Sequence, residues 1–402
     1  MATPPTYMVK KMKRLYEISA IILLIVITGC GRNKQSNENL IIVDVTRDYP
    51  EKELILQDFM DVEYIPLETN DEFVNQGIVM AVGKEMILVK NNMNDGDIFI
   101  YDRTGKALRK INRKGEGGEE YLFLNEIVLD EDRNEIFVNS AGAKKILVYD
   151  LHGTFKRSFR HPEDAKYYSL FDYDKDNLIC YDTSGAQGVD QGERGSKSYH
   201  AIISKQDGSI THDIFISFKK NISQRVEDAN GNVAVVSNGN CPIVPYYDDW
   251  ILSESSSDTI YKYAQDGYLT PLIVRTPSVQ SADQNVLFFA RLITDRFYFL
   301  HITKLEYDFE KRRGFPFNEL IYDREENAIF KFSLYNADYI NKKRMGIGQA
   351  INAEIAFQQK LEAYQLVESY KKGELKDGKL KEIAETLDKE NNPVIMLVKH
   401  RK

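Results

Sequence analysis

The 402-residue chain is predicted to be all-β, a six-bladed β-propeller standing behind an N-terminal export leader. Three observations predict the ring. A strand–turn–strand segment with glycine at its turn recurs along the chain, a second hairpin precedes most copies, and strand-like segments are left over at both ends. Tyr (24) and Phe (20) are plentiful and Trp occurs once, an aromatic richness that favours strands.

The leader comes first. Lys13 and Arg14 precede the run ISAIILLIVI (18–27), and Thr28-Gly29-Cys30 follow. Ten residues of helix, at about 1.5 Å each, fall well short of a hydrocarbon core about 30 Å thick, so the run reads as the apolar region of a signal peptide rather than as a span. The tetrad Ile27-Thr28-Gly29-Cys30 resembles the bacterial lipobox, an aliphatic residue and two small ones ahead of the cysteine that is acylated. Residues 1–29 are therefore expected to be a lipoprotein signal peptide and Cys30 the lipidated residue. A start at Met12 would give a leader of ordinary proportions, so residues 1–11 read as an over-extended start. Gly31 rather than an aspartate follows the cysteine, which points to the outer membrane, with the leaflet left open. Residues 30–39 are polar and read as a flexible tether.

Behind the tether, residues 40–402 are assigned to the propeller. Four segments align: IFIYDRTGKALRKI (98–111), ILVYDLHGTFKRSF (146–159), AIISKQDGSITHDI (201–214) and IYKYAQDGYLTPLI (260–273). Gly105, Gly153, Gly208 and Gly267 share one position, and Asn327 stands near it in a weaker fifth copy, LIYDREENAIFKF. A tight hairpin turn often needs positive φ, which Gly adopts freely and Asn tolerates. Asp102 and Asp150 are read as bonding their own turns. Preceding hairpins lie at 77–90, 126–139, 170–182 and 246–255, so each pair makes a four-stranded unit. Five blades result, at 77–111, 124–160, 167–215, 232–275 and 286–335. The sixth is expected to join 40–46 and 61–67 to 394–399, closing the ring and removing open edges. Apolar spacing predicts helices over 347–370 and 374–388, a helical insertion within 347–390.

The chain carries a net charge of −8, and since residues 1–29 hold Lys10, Lys11, Lys13 and Arg14 against Glu17, the remainder carries −11. No basic stripe is present, which argues against nucleic-acid binding. Cys180 and Cys241 fit no zinc spacing and are expected to be buried free thiols rather than a bridge.

The residues then show a family likeness. VEYIPLET (62–69), IYDRTGKALRKINRKGEGGEEY (100–121) and the closing NNPVIMLVK (391–399) resemble the six-bladed β-propeller lipoproteins abundant in Bacteroidetes, relatives of the NHL-repeat propellers. Gly115, Gly117, Glu120 and Tyr121 match the family's "RxGxGPGEY" pattern, while Gly118 and Glu119 depart from it. The resemblance implies a fold and a cellular address, and no reaction.

Chemistry is sparse. The Gly-rich loop lacks the Lys-Ser/Thr of a phosphate loop. Arg113, Glu119, Glu120 and Tyr121 are its candidate ligand-facing residues, against the plainer reading of an inter-blade connection in which Tyr121 packs. The six histidines show no paired ligand spacing, and no GxSxG motif occurs. Asp248-Asp249 and residues 172–176 are acidic loops without the twelve-residue calcium pattern. No cofactor is expected, with Ca²⁺ or Zn²⁺ held between blades as the open alternative. Arg291 and Arg296 are candidates either for an anion in the channel or for ion pairs.

The expected function is a ligand- or protein-binding, or scaffold, module. It is held at the membrane by its lipid, presents one face to a glycan, peptide or envelope protein, and has no catalytic residues. A metal-dependent hydrolase or lactonase with a channel site, and an envelope-complex subunit docking through the C-terminal helices, are the alternatives.

Overall fold

The computed structural model describes residues 40–92, 94–185, 197–236, 241–281 and 285–401. The leader, Cys30 and most of the tether lie outside the described residues. Three complete four-stranded antiparallel blades come first. Blade 1 holds Ile78–Val82, Met86–Lys90, Asp97–Asp102 and Ala107–Asn112. Blade 2 holds Glu126–Asp130, Glu135–Ser140, Lys145–Asp150 and Phe155–Arg160. Blade 3 holds Tyr167–Asp172, Asn177–Asp182, His200–Ser204 and Ile210–Ile214. Their middle strands are the most apolar and are buried on both faces, because neighbouring blades cover each side of them.

The repeated turn behaves as its sequence dictates. Gly105, Gly153, Gly208 and Gly267 have φ of +89°, +81°, +75° and +83°, and Asn327 has +48°. Asp102 Oδ1 accepts from the backbone N–H of Thr104 and Lys106, and Asp150 Oδ1 from those of His152 and Thr154. Three of the glycines also sit hard against the outer strand of the preceding blade. A Cβ on Gly153 would lie 2.7 Å from Ile111 Cγ2, one on Gly208 would enter the Phe159 ring, and one on Gly105 would strike the Pro66 carbonyl. The glycine therefore serves both turn geometry and blade stacking.

The sheets of blades 4 and 5 carry added strands beyond their own four. Blade 4 comprises Ile243–Tyr246, Asp249–Leu252, Thr259–Tyr263 and Leu269–Thr276. It begins later than the expected residue 232, because Val233–Val235 pairs instead with Arg225–Glu227 in a separate two-stranded hairpin. Blade 5 comprises Val286–Ile293, Phe297–Lys304, Phe317–Asp323 and Ala328–Asn336.

The sixth blade confirms one expected pairing, corrects another and corrects the extent of an expected helix. Met60–Pro66 pairs antiparallel with Val394–His400, in register from Met60↔His400 to Pro66↔Val394, so the two ends of the ring do meet. The segment 40–46 is not part of this blade. Ile41–Asp44 runs parallel along the outer strand of blade 4, and Glu51–Ile55 does the same on blade 5. Residues 41–66 thus belt the outer edges of three consecutive blades, covering backbone groups that would otherwise face water as open edges. The helix expected over 347–370 starts only at Ala363. Ile355–Leu361 is instead the third strand of blade 6, paired with Val394–His400. Helices Ala363–Lys371 and Lys379–Thr386 follow, and bury Leu366, Leu380, Ile383 and Ala384 in the core shared by blades 5 and 6.

Blade 6 has three strands, and the irregular stretch 346–354 stands where an innermost strand would run. Asn352 Nδ2 donates to the Val82 carbonyl of blade 1 at 2.7 Å, and Ile347 O accepts from Arg291 Nη2 of blade 5 at 2.9 Å. Asn392 ties the closure. Its Nδ2 donates to the carbonyls of Glu68 (2.8 Å) and Phe73 (2.7 Å), and its Oδ1 accepts from Asn75 N (2.8 Å). Among the described residues no helix is long and apolar enough to cross a membrane.

Candidate functional site

The inner strands of blades 1, 2 and 3 surround a central cavity of about 430 Å³, closed on the remaining side by residues 349–353 and by the first turn of blade 4. That size lies within the roughly 300–1,000 Å³ typical of small-ligand sites. Its rim comes from the turns after each inner strand, which bring Tyr173, Asp174, Tyr247 and Asp248 to one end of the ring. Trp250 follows the blade 4 turn and forms wall. Its ring stacks on that of Tyr173 with centroids 5.9 Å apart at 28°. Phe171 meets the same indole at 6.0 Å.

Among the described residues the polar lining consists of four carboxyl groups with amide, hydroxyl and indole groups, and holds no Lys, Arg or His. Asp172 forms an ion pair with Lys205 Nζ at 2.7 Å, and the same ammonium reaches Asp130 at 2.6 Å. Asp174 Oδ1 accepts from the N–H groups of Asp176 (2.7 Å) and Asn177 (2.8 Å). Asp248, by contrast, has no hydrogen-bond or ion-pair partner among the described residues. Gln358 presents a buried Oε1 without a donor. Glu126 stands at the opposite end of its strand from the blade 2 turn. Burial pushes its carboxyl up to about 7, against the pull of the Lys90 ammonium and a bond from the Gln349 side chain.

A second depression, of about 450 Å³, lies between Lys52–Met60 and Thr294–Phe297 and shares Tyr247 with the central cavity. Its cations are spent: Lys52 pairs with Asp323 and Glu326, Arg296 with Asp323 and Glu325, and Arg401 with Asp61. Arg296 thus makes ion pairs within its own blade. Arg291 is the bulged residue of its strand, where the register shifts between Ala290 and Leu292, and a bulge re-aims its side chain. Beside it His301 is buried, with neither ring nitrogen bonded, and burial together with the Arg291 charge holds the imidazole down at about 4.

The Gly-rich loop is built otherwise. Tyr121 is buried. Its hydroxyl donates to Gly96 O at 2.7 Å and accepts from Arg113 N at 2.9 Å, and its ring meets Tyr149 edge-on at 6.0 Å. Arg113 Nε donates to Gly153 O at 2.7 Å, across the blade seam. Glu119 is exposed, and its backbone carbonyl accepts from Tyr149 Oη. Glu120 Oε2 accepts from Gly117 N at 2.8 Å. None of the four lines the central cavity. The acidic loops do reach it, through Asp172, Asp174 and Asp248. Trp250, Tyr173, Glu126, Gln349 and Gln358 carried no motif, and only closing the ring brings them together. Cys180 and Cys241 are free thiols. Among the described residues no three His, Cys, Asp or Glu side chains cluster as a metal-ligand set.

Comparison with known proteins agrees with the blade count. Residues 31–357 match a family described as a 6-bladed beta-propeller, DUF5128. The chain belongs to that family. Among solved structures, this DUF5128 propeller is similar to a putative exported protein from Bacteroides fragilis, with TM-score 0.59 and 14% identity over 90% of this chain and 100% of the other. It also aligns with a DUF4221 member from Bacteroides vulgatus (TM-score 0.43, 9% identity, 85% and 98% covered). A third alignment is with virginiamycin B lyase from Staphylococcus aureus (TM-score 0.30, 14% identity, 65% and 88% covered). At these identities the likeness is one of fold. No curated protein matches the chain.

Proposed function

We propose that this DUF5128 propeller is a lipid-anchored binding module of the bacterial outer membrane, non-enzymatic, holding its ligand in the central cavity. The observation that carries the reading is the cavity itself. It is of ligand size, is walled by the inner strands of three blades, has an aromatic face, and is lined by carboxylate and amide groups of which Asp248 and Gln358 have unspent acceptors. Rigid strands bearing variable turns suit such a role, because the ring fixes the wall while the turns select what enters.

The anchor follows from the leader: a charged start, a short apolar run and Ile27-Thr28-Gly29-Cys30. Several acyl chains, each buried CH₂ contributing about 0.8 kcal/mol, would hold the protein at the membrane durably.

Two measurements test this. Growth with a clickable palmitate analogue should label the wild-type chain in the outer-membrane fraction, and Cys30→Ser should lose both label and membrane fractionation. Labelling that survives Cys30→Ser sinks the anchor. For the site, Gln349→Trp places an indole in the cavity from an exposed position. It should abolish ligand-induced thermal shifts while costing the free protein only about 1 kcal/mol, the loss of the Gln349 bond to Glu126. A ligand whose shift persists in that variant binds elsewhere.

A further inference from the structure

The lining of the central cavity permits a narrower statement, which rests on reading that cavity as the binding site. Four carboxylates line it (Glu126, Asp172, Asp174 and Asp248) and, among the described residues, no cation does. Three of the four are partnered within the protein, Asp172 by Lys205, Asp174 by its own turn and Glu126 by the Gln349 side chain. Asp248, at the rim, is not. Deeper in, the Oε1 atom of Gln358 is buried with no donor. A buried acceptor left without a partner costs about 1–3 kcal/mol, so a turn of the Gln358 side chain that brings Oε1 to an incoming donor would recover that cost. The third element is the aromatic surface. Tyr173 and Trp250 stack at 5.9 Å, and Tyr247 stands on the same rim with its ring against those of Tyr246 and His400. Aromatic faces attract cations, through the ring quadrupole, and do so more strongly as water is excluded.

These three features select the same ligand chemistry. An anion entering the cavity would meet acidic side chains and no cation among the described residues, with only amide, hydroxyl and indole donors to offset them. A neutral ligand could donate to Asp248 but would leave its charge unmatched once water is excluded. An ammonium group supplies the missing positive charge, up to three N–H donors and a partner for the rings. We infer that the central cavity binds a protonated amine, seated between the Trp250–Tyr173 pair and Asp248, with an N–H directed to Gln358 Oε1. A free amine and the lysine side chain of a peptide present the same group, and the two are separated by experiment.

Trp250 is the only tryptophan in the chain, so intrinsic fluorescence reports on this wall directly. The full-length protein in detergent is titrated with N-acetyl-lysine methylamide, with cadaverine, and with N-acetyl-norleucine methylamide as the uncharged analogue. A saturable change in Trp250 emission is expected with one or both amines and not with norleucine. Response to the lysine amide alone identifies a peptide source, and response to cadaverine alone identifies a free amine. Asp248→Asn, at an exposed site without a partner among the described residues, should leave the melting temperature unchanged and weaken amine binding about two- to fivefold, the range of an exposed ion pair.

The inference is overturned if norleucine matches lysine, if Asp248→Asn binds as wild type, or if neither amine perturbs Trp250 where a millimolar complex would saturate. A neutral oligosaccharide that saturates the signal when amines do not would sink the amine and leave the cavity as the site. A Trp250 that responds to no amine, sugar or peptide would sink both readings.

Discussion

Single residues do two jobs at the hairpin turns of this ring, and the jobs can be separated. Gly208 and Gly267 both need positive φ, at +75° and +83°. A Cβ on Gly208 would enter the Phe159 ring, whereas on Gly267 its nearest neighbour would be Tyr263 Oη at 3.8 Å. Gly267→Ala should therefore cost only the left-handed backbone penalty, about 1–2 kcal/mol. Gly208→Ala should cost about 1–3 kcal/mol more, because the ring of Phe159 is buried and must shift. Urea denaturation of both variants checks the order, and equal losses would show that stacking contributes nothing at this turn. The same scale explains why the Gly-rich loop looks functional in the sequence. Its Gly117 and Glu120 bond each other, and its Tyr121 is buried beneath Tyr149.

At the scale of elements, the seams between blades carry the buried charge. Lys205, 1% exposed, spans Asp130 of blade 2 and Asp172 of blade 3 at 2.6 and 2.7 Å. Its carbonyl accepts from Arg157 of blade 2, whose guanidinium also holds both oxygens of Glu135 at 2.7 Å. Removing one partner of a buried pair leaves the other uncompensated, so Lys205→Met should destabilise by about 3–5 kcal/mol, seen as an earlier urea midpoint at unchanged m. A loss below about 1 kcal/mol would mean that Asp130 recovers water on its own. Blade 6 shows the opposite strategy, since its innermost position is given to an irregular segment. The residues that would have completed a strand instead put Gln349 and Asn352 into the cavity wall.

For the whole molecule, pH sets several buried groups against each other. His161, His200 and His301 are held at about 4, each chiefly by burial. Between pH 6.5 and 4 the unfolded chain binds these protons and the folded ring does not, so stability falls on acidification. Glu126 acts in reverse. With its carboxyl at about 7, the folded state keeps a proton that the unfolded state has released above about 4.5, so this group alone makes stability fall as pH rises through that window. The groups facing it are Lys90, Tyr168 and Cys241, with Gln349 bonded to it. Three imidazoles outweigh one carboxyl, so the melting temperature should drop from pH 6.5 to 4.5. Glu126→Gln should steepen that drop by up to about 1.4 kcal/mol per pH unit. An unchanged slope would show that Glu126 ionises as an exposed carboxyl does. Below these values Glu135 and Asp323, held at about 2 against burial by Arg157 and Lys156 and by Arg296 and Lys52 respectively, add their own loss as pH falls from about 4.5 toward 2.

Local chemistry determined a good deal of this protein by itself. The hairpin glycines, Asn327 and the Asp102 and Asp150 turns follow from backbone sterics and bonds within a few residues, so they were legible along with five blades and the pairing of Met60–Pro66 with Val394–His400. What only the tertiary structure decided are choices between partners of equal local merit. The apolar alternation of Ile41–Asp44 suits any exposed edge, and the edge of blade 4 was the one within reach. Residues 355–361 lost their strand signature because Ile355, Ala356 and Phe357 are all buried, which erases the alternation that marks a half-covered strand. The cavity was the least legible feature. Trp250, Glu126, Gln349 and Gln358 sit on different strands and loops, and each reads alone as an ordinary residue of its element. Their joint chemistry exists only because six sheets close around one axis.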